Sequence, residues 1–409
     1  MAANLTTVGG LLKQVYANAI KEQLENNNVL WKIVQKDFDM KNLQGKNIIV
    51  SVHTGRNAGI GARAEGGTLP TGYNQTHVQI PVPLKFLYGR IDMTGQAMLL
   101  AKKDISAFVD AKANEMEGIV NDVTRDFNRQ LHNDGTGVIC QTNGAGSGAT
   151  TLILDNQNVG YSVAQYLQGA YIDIKTTRTG GSTEVSNVQV SAVTADTTTA
   201  ATVTLATSST WSDNSFVFIS GNQNNEIVGL RGAIDDGGIL ATYMGVDRTA
   251  AGNQYWQSND LNNSGTPRNT TEAIFDDGFL ACIRKGGKPD HAITAFQPFK
   301  TLGAALVQQK RFITDSDAKL KDLPGGYMGY SVNGIKVVAD IDCAPGTMYL
   351  LRGEDFCIYQ PGDADFIDFG SGTPWLQTSN QDAATAALRW YVAFFCSRPN
   401  VQTVIRDLQ

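Results

Sequence analysis

Between two stretches of alternating apolar and polar residues lies a segment that neither a helix nor a regular strand accommodates. It reads GRNAGIGARAEGGTLPTGY, residues 55–73, and holds six glycines and one proline. Each glycine costs a helix about 1 kcal/mol and the proline about 3 kcal/mol. Before it, Asn47 to Thr54 alternates Ile48, Val50 and Val52 against Ile49, Ser51 and His53; after it, Thr76 to Pro83 spaces Val78, Ile80 and Val82 by two. The pattern predicts a long two-stranded excursion with a flexible tip and no core of its own. Loops of this kind act by lying on something else.

Gly59, Gly61 and Ala64 within it have the G-x-G-x-x-A spacing of a dinucleotide cradle. Such a cradle needs a helix opening on the glycines, because the free amides and positive dipole end of that helix hold the pyrophosphate. Glu65, Gly66, Gly67, Thr68, Leu69 and Pro70 follow instead, and they predict no helix. A nucleotide-binding oxidoreductase built on these three residues is therefore the competing enzyme reading, and no cofactor is expected.

A chain of 409 residues is long enough for two or three domains, or for one large domain carrying insertions. Charged residues make up 18% and the net charge is −6, which argues against a protein that grips nucleic acid by neutralising phosphates. The densest basic cluster, Arg284, Lys285 and Lys288, sits at a predicted helix end, where cations face the dipole favourably. Five cysteines, an odd number without C-x-x-C spacing, argue against a disulfide framework and suit a cytosolic chain. The opening MAANLTTVGG has no signal-peptide pattern and no apolar run is long enough for a bilayer, so no membrane partner is expected.

Along the chain, Leu12, Val15, Tyr16, Ala19, Ile20 and Leu24 recur at helical spacing and predict an N-terminal arm with an apolar stripe. The longest periodic segment runs from Asp104, a good N-cap, to His132, with NDG at 133–135 as its stop. Its apolar side is Ile105, Val109, Met116, Val120, Val123, Phe127 and Leu131, with Lys112, Asn121, Asp122, Arg125 and Asn128 largely elsewhere. From about Gly137 to Gly221 the composition turns to Thr, Ser, Gly and Val in short alternating stretches, as expected of an inserted small antiparallel β-barrel or sandwich. Beyond it come a helix over 271–287 capped by Thr271, a buried strand HAITAF, a second helix begun by Pro298, and four further strands.

No constellation of catalytic residues emerges. The P-loop, H-E-x-x-H and G-x-S-x-G patterns are absent from the sequence, so the chain reads as no enzyme. His53 and His77 can face one another across the excursion but lack a third ligand, and no metal site is expected. Asp235 and Asp236, like Asp276 and Asp277, read as solvated turn or helix-surface residues. DADFID (363–368) lacks the length and terminal glutamate of a calcium loop. Cys282 reads as an inert core thiol. Trp211, Tyr255 and Trp256, read as exposed aromatics, support a third reading, a β-rich adhesin; packing inside a small barrel or at a subunit contact is the plainer account.

The order of elements resembles that of the major capsid proteins of tailed bacteriophages, the Hong Kong ninety-seven-type fold. GKNIIVSVHTGRNAGIGARAEGGTLPTGYNQTHVQIPVPLKFLYGRIDMTG is similar to the extended loop and its return, and KKDISAFVDAKANEMEGIVNDVTRDFNRQLHNDGTG to the spine helix with its exit. KPDHAITAFQPFKTL, and GEDFCIYQPGD through to YVAFFCSRPNVQTVI, resemble axial-domain and late peripheral-domain elements. The resemblance implies an α+β chain with an N-terminal arm (1–46), extended loop (47–83), peripheral domain with spine helix (84–137), inserted β domain (138–222), axial domain (223–335), peripheral return strands (336–374) and axial C-terminal strands (375–409).

It also implies a virion structural protein, assembled in the host bacterial cytoplasm as hexamers and pentamers into an icosahedral shell around double-stranded DNA. Leu12, Tyr16 and Ile20 of the arm, with Arg56, Ile60, Arg63, Leu69 and Tyr73 of the loop, are the expected inter-subunit contacts. The implied partners are further copies of the chain, a portal, and, in some relatives, a decoration protein. The packaged DNA is expected to be held without strong specific binding. Some relatives begin with a scaffolding extension; here the arm starts almost at Met1, so a separate scaffolding protein is expected.

Some relatives also join neighbours by an isopeptide bond from a lysine in the extended loop. Residues 47–84 hold no lysine, only Arg56 and Arg63, and a guanidinium does not form that bond. Assembled particles are therefore expected to run as one band near 44.0 kDa on a denaturing, reducing gel; a ladder of covalent oligomers contradicts this.

Overall fold

A computed structural model describes residues 29–37, 43–44, 47–96, 111–155, 163–196, 201–307, 330–362, 364–368, 374–378 and 380–409. Most of the expected arm, including Leu12, Tyr16 and Ile20, lies outside the described residues, as do Asp104, Ile105 and Val109. Two compact units divide the chain: one holds Leu87–Arg125 and Asp363–Trp390, the other Asn27–Phe86, Asp126–Gly362 and Tyr391–Gln409.

Helix α1 (Val29–Ile33) buries Val29 and Leu30. The short strands β1 (Gln35–Asp37) and β2 (Leu43–Gln44) precede β3 (Asn47–Gly55), which pairs antiparallel with β4 (Thr76–Pro83) and sets His53 opposite His77. At the base of this hairpin the alternation turns Ile48, Ile80 and Val82 inward. No helix follows Ala64; residues 65–66 form a turn and 56–75 contain no strand, so the dinucleotide cradle is not built.

Strand β5 (Lys85–Thr94) points Leu87, Gly89 and Ile91 inward and Phe86, Tyr88 and Arg90 outward. Helix α2 (Ala111–His132) has 22 residues and is about 33 Å long. A Cβ on Gly89 would stand 2.7 Å from Ile119 Cγ1 and 3.1 Å from Val123 Cγ2, so the missing side chain is what lets α2 lie on β5. The helix ends as expected: Asn133 N donates to the Gln130 carbonyl at 3.1 Å, and Gly135 takes φ +82°.

The Thr- and Val-rich segment closes into a six-stranded antiparallel barrel. It comprises β6 (Cys140–Thr142), β7 (Gly146–Asp155), β8 (Tyr171–Lys175), β9 (Thr183–Asp196), β10 (Ala201–Trp211) and β11 (Phe216–Ile219), with α3 (Val163–Leu167) packed against its core. Inward residues such as Leu152, Ile172, Val190 and Val203 fill it, and closure leaves no free edge. Trp211 is buried in the barrel, with Nε1 donating to the Gly144 carbonyl at 3.2 Å, and Trp256 is fully buried, with Nε1 donating to the Tyr243 carbonyl at 3.0 Å. Tyr255 is half-buried. Of the three aromatics expected to be exposed, the two tryptophans are therefore interior residues, because each indole finds a backbone partner inside the fold.

After α4 (Leu230–Ala233) and a two-stranded hairpin, β12 (Thr242–Tyr243) with β13 (Val246–Asp247), the chain builds a mixed sheet. Its members are β14 (Asn259–Leu261), β15 (His291–Thr294), β16 (Tyr330–Val332), β17 (Ile335–Ala339), β18 (Met348–Leu351) and β23 (Thr403–Ile405), in the order β14-β23-β18-β15-β17-β16. Helices α5 (Glu272–Arg284) and α6 (Phe296–Val307) pack on it through Phe275, Cys282 and Leu302. Thr271 caps α5 as expected, its side chain accepting from Ile274 N at 3.4 Å. Helix α6 begins two residues before Pro298, which still fits because the first turn needs no amide donors.

The remaining strands are β19 (Phe356–Tyr359), β20 (Asp365–Phe366), β21 (Trp375–Gln377) and the 14-residue β22 (Ala383–Cys396). β22 pairs with β5, β19, β20 and β21. Two expected boundaries need correction. The break at 335/336 falls inside β17, which pairs parallel with β15, and residues 375–396 pair with the β5 and β19–β20 strands rather than with β23. Strand partners distant in sequence decide membership of a sheet, and alternation alone does not reveal them.

A Cβ on Gly278 in α5 would lie 2.8 Å from both Ile405 Cδ1 and Leu350 Cδ1. Gly278→Val is expected to overpack this contact and lower stability by about 1–3 kcal/mol, read as a fall in the denaturant midpoint; an unchanged midpoint contradicts the packing described.

Candidate functional site

Among the described residues, the hydrogen bonds that hold the hairpin tip are local. Gly59 N donates to Asn57 Oδ1 at 2.7 Å, Arg63 Nε to the Thr68 carbonyl at 2.9 Å, and Gly67 N to the Ala64 carbonyl at 2.9 Å, while Gly66 takes φ +74°. Among the expected contact residues, Arg56, Ile60, Arg63, Leu69 and Tyr73 all lie on this tip and are exposed. Ile60 is 82% exposed, Leu69 83% and Tyr73 57%. Large apolar side chains this open, on a segment without a core, form a surface that gains burial only from another molecule. Phe86 and Tyr88 on the outer face of β5 are also exposed.

The imidazoles of His53 and His77 stand 5.0 Å apart across the hairpin. Among the described residues, the one group of three metal-capable side chains is Asp235, Asp236 and Asp260. Asp235 is buried, contrary to the solvated turn expected, and its Oδ2 accepts the amides of Gly237, Ile239 and Leu240 at 2.9–3.0 Å. Arg248 stands 3.8 Å from Asp235, Arg406 stands 3.6 Å from Asp235 and 2.8 Å from Asp260, and these guanidinium groups already supply the positive charge.

Sequence reasoning missed a buried polar cluster at the end of α2, in the unit that also holds the barrel. Arg129 forms a two-pronged pair with Glu226, Nη1–Oε2 3.1 Å and Nη2–Oε1 2.5 Å, and its Nε donates to Asp126 at 2.9 Å and to the Tyr166 hydroxyl at 3.0 Å. Burial alone would disfavour the Arg129 cation, but Asp126 and Glu226 outweigh that and hold its pKa well above the ordinary arginine value. Asp134 accepts from Arg178, and Asn128 donates to Asp342. His132 Nε2 lies 3.4 Å from Asp340 Oδ2, with both side chains buried. Asn128 is one of the polar positions off the helix's apolar side, and it is paired inside; spacing cannot distinguish a polar residue in water from one paired inside.

No family model and no curated protein matches the sequence. Solved structures do. The Cyanophage A-1(L) capsid asymmetric unit aligns with a TM-score of 0.58 at 15% identity, covering 99% of this chain and 99% of that one. The capsid of the native GTA particle aligns with a TM-score of 0.52 at 11% identity, covering 98% of this chain and 97% of that one. That of the empty GTA particle gives 0.51 at 11% identity, covering 100% and 99%. The chain has the Hong Kong ninety-seven-type capsid fold. Its extended loop is the β3–β4 hairpin, its spine helix is α2, and the closed barrel is its insertion.

Burial lowers the pKa of His132, but Asp340 and then Asp342 outweigh it, so the folded-state value is raised. The folded state thus holds this proton more tightly than the unfolded chain does. The contribution to stability is complete below about pH 6.5 and is lost as pH rises through the raised value. On the acid side, Asp340 is itself held below its ordinary value despite burial, chiefly by His132. Unfolding midpoints measured from pH 6 upward are expected to fall with pH in the native chain and to flatten in His132→Asn; parallel profiles contradict the pair.

Proposed function

We propose that the chain is a major capsid protein whose copies assemble as hexamers and pentamers into an icosahedral shell enclosing the double-stranded DNA of a tailed phage. One observation carries this reading: the extended loop presents Ile60, Leu69 and Tyr73 to solvent on a segment with no core of its own. Fully burying one such side chain is worth about 1.5–3 kcal/mol, and a closed lattice repeats each contact so that effective concentration multiplies modest pairs. Full-length alignment to capsid subunits supports the same conclusion. The particle location, assembly in the host cytoplasm, and the portal, separate scaffolding and decoration partners belong to this proposal, as does the absence of an enzymatic role. Net charge of −6 suits a wall that DNA must pass without adhering.

The variant Ile60→Ser with Leu69→Ser tests it. Both residues are exposed, so subunit stability is expected to change by no more than about 0.5 kcal/mol per site, while closed particles disappear from electron micrographs of the chain co-expressed with neighbouring phage products. Normal shells from the double variant, or a native chain that stays monomeric under those conditions, overturn the reading.

A further inference from the structure

Below the barrel, three guanidinium groups converge on one cavity of about 550 Å³. Arg178 comes from the turn after β8, Arg231 from α4 and Arg406 from the residue after β23, and Gln141 and Thr347 add polar atoms to the wall. Two of the three cations are partly committed. Arg178 is bound to the buried Asp134, and Arg406 Nε donates to Asp260 at 2.8 Å. The Nη2 of Arg406 is buried and makes no hydrogen bond, with Asp235 at 3.6 Å.

Arg231 differs from both. Its Nε is shut off from solvent without a partner, and among the described residues the guanidinium makes no hydrogen bond or ion pair. Burial pushes its pKa below the ordinary arginine value; Tyr349 and Asp134 offset part of this, and Arg178 and Arg406 add to it. The carboxylate in the wall, Asp407, is turned to other donors: its Oδ2 accepts the amides of Asn263 at 2.7 Å and Gly265 at 3.0 Å.

Arg231 is half-buried, and its enclosed Nε has lost water without gaining a partner, a cost that a bound anion would offset. Guanidinium forks match the paired oxygens of phosphate, and the recess has the volume of a small-molecule site rather than of a groove for a duplex. The geometry points to a binding site for a small phosphate-class oxyanion, held by Arg231 with Arg178 and Arg406. The site does not depend on the shell-forming reading.

Inorganic pyrophosphate, titrated into the full-length chain at constant ionic strength, is expected to raise the unfolding midpoint by about 2 °C or more over matched sodium chloride. Arg231→Met keeps the volume and removes the unpaired charge. It is expected to abolish the shift while leaving the ligand-free midpoint unchanged or higher. Gln141→Glu, which brings a carboxylate to the same wall, is expected to weaken the shift without removing an arginine. No shift beyond the salt control, an equal shift in Arg231→Met, or a lower ligand-free midpoint in that variant overturns the site. Duplex DNA binding that depends on Arg231, with no response to pyrophosphate, overturns the small-anion assignment.

Discussion

A single buried guanidinium organises the unit that contains the barrel. Arg129, in the last turn of α2, is gripped by Asp126 from its own helix, by Tyr166 from the insertion, and by Glu226 from the segment that returns after it. Helix, insertion and returning segment thus share one charge. Removing one partner of such a group strands the others in a low dielectric, at a cost of about 3–5 kcal/mol. That penalty specifies where the barrel attaches better than apolar contact could, because oil-like surfaces slide and a two-pronged ion pair does not. The neighbouring pairs, Asp134 with Arg178 and His132 with Asp340, tie the same helix end to the barrel and to the residue after β17.

The extended loop shows the opposite economy. Around Arg129, polar residues are matched to one another; on the loop tip, large apolar side chains stand open to solvent. Ile60 and Leu69 are more than four-fifths exposed although the glycines around them leave the backbone free to fold back. A chain that pairs Arg129 on three sides, yet leaves isoleucine and leucine in water, presents an apolar surface suited to contact with another molecule.

Much of this was legible in the sequence. Alternation around residues 47–54 and 76–83, seven-residue recurrence down to Leu131, and Thr271 as a helix cap each state a local preference that tertiary packing did not override. The barrel strands AYIDIKT, NVQVSAVTA, ATVTLAT and SFVFIS stand where alternation puts them, whereas the insertion's two other strands, in glycine- and serine-rich sequence, carried weaker signals. What stayed hidden is long-range. Nothing near Arg129 in sequence announces Glu226, and nothing near Asp235 announces Arg406, because ion pairs across about a hundred residues or more leave no periodic trace. Parallel pairing of β15 with β17 was hidden for the same reason, and so were the domain boundaries that depend on it.

The two ends of the insertion touch. A side chain on Gly137, where φ is +85°, would press within 2.8 Å of the Asn222 carbonyl, so about eighty residues leave and rejoin the chain at nearly one point. Closing a loop costs free energy only as the logarithm of its length, and a module whose ends already meet adds little strain to the body that carries it. The barrel is in this sense a pendant: its far strands can vary in length so long as Tyr166 and Arg178, which pair with the end of the spine helix, stay in place.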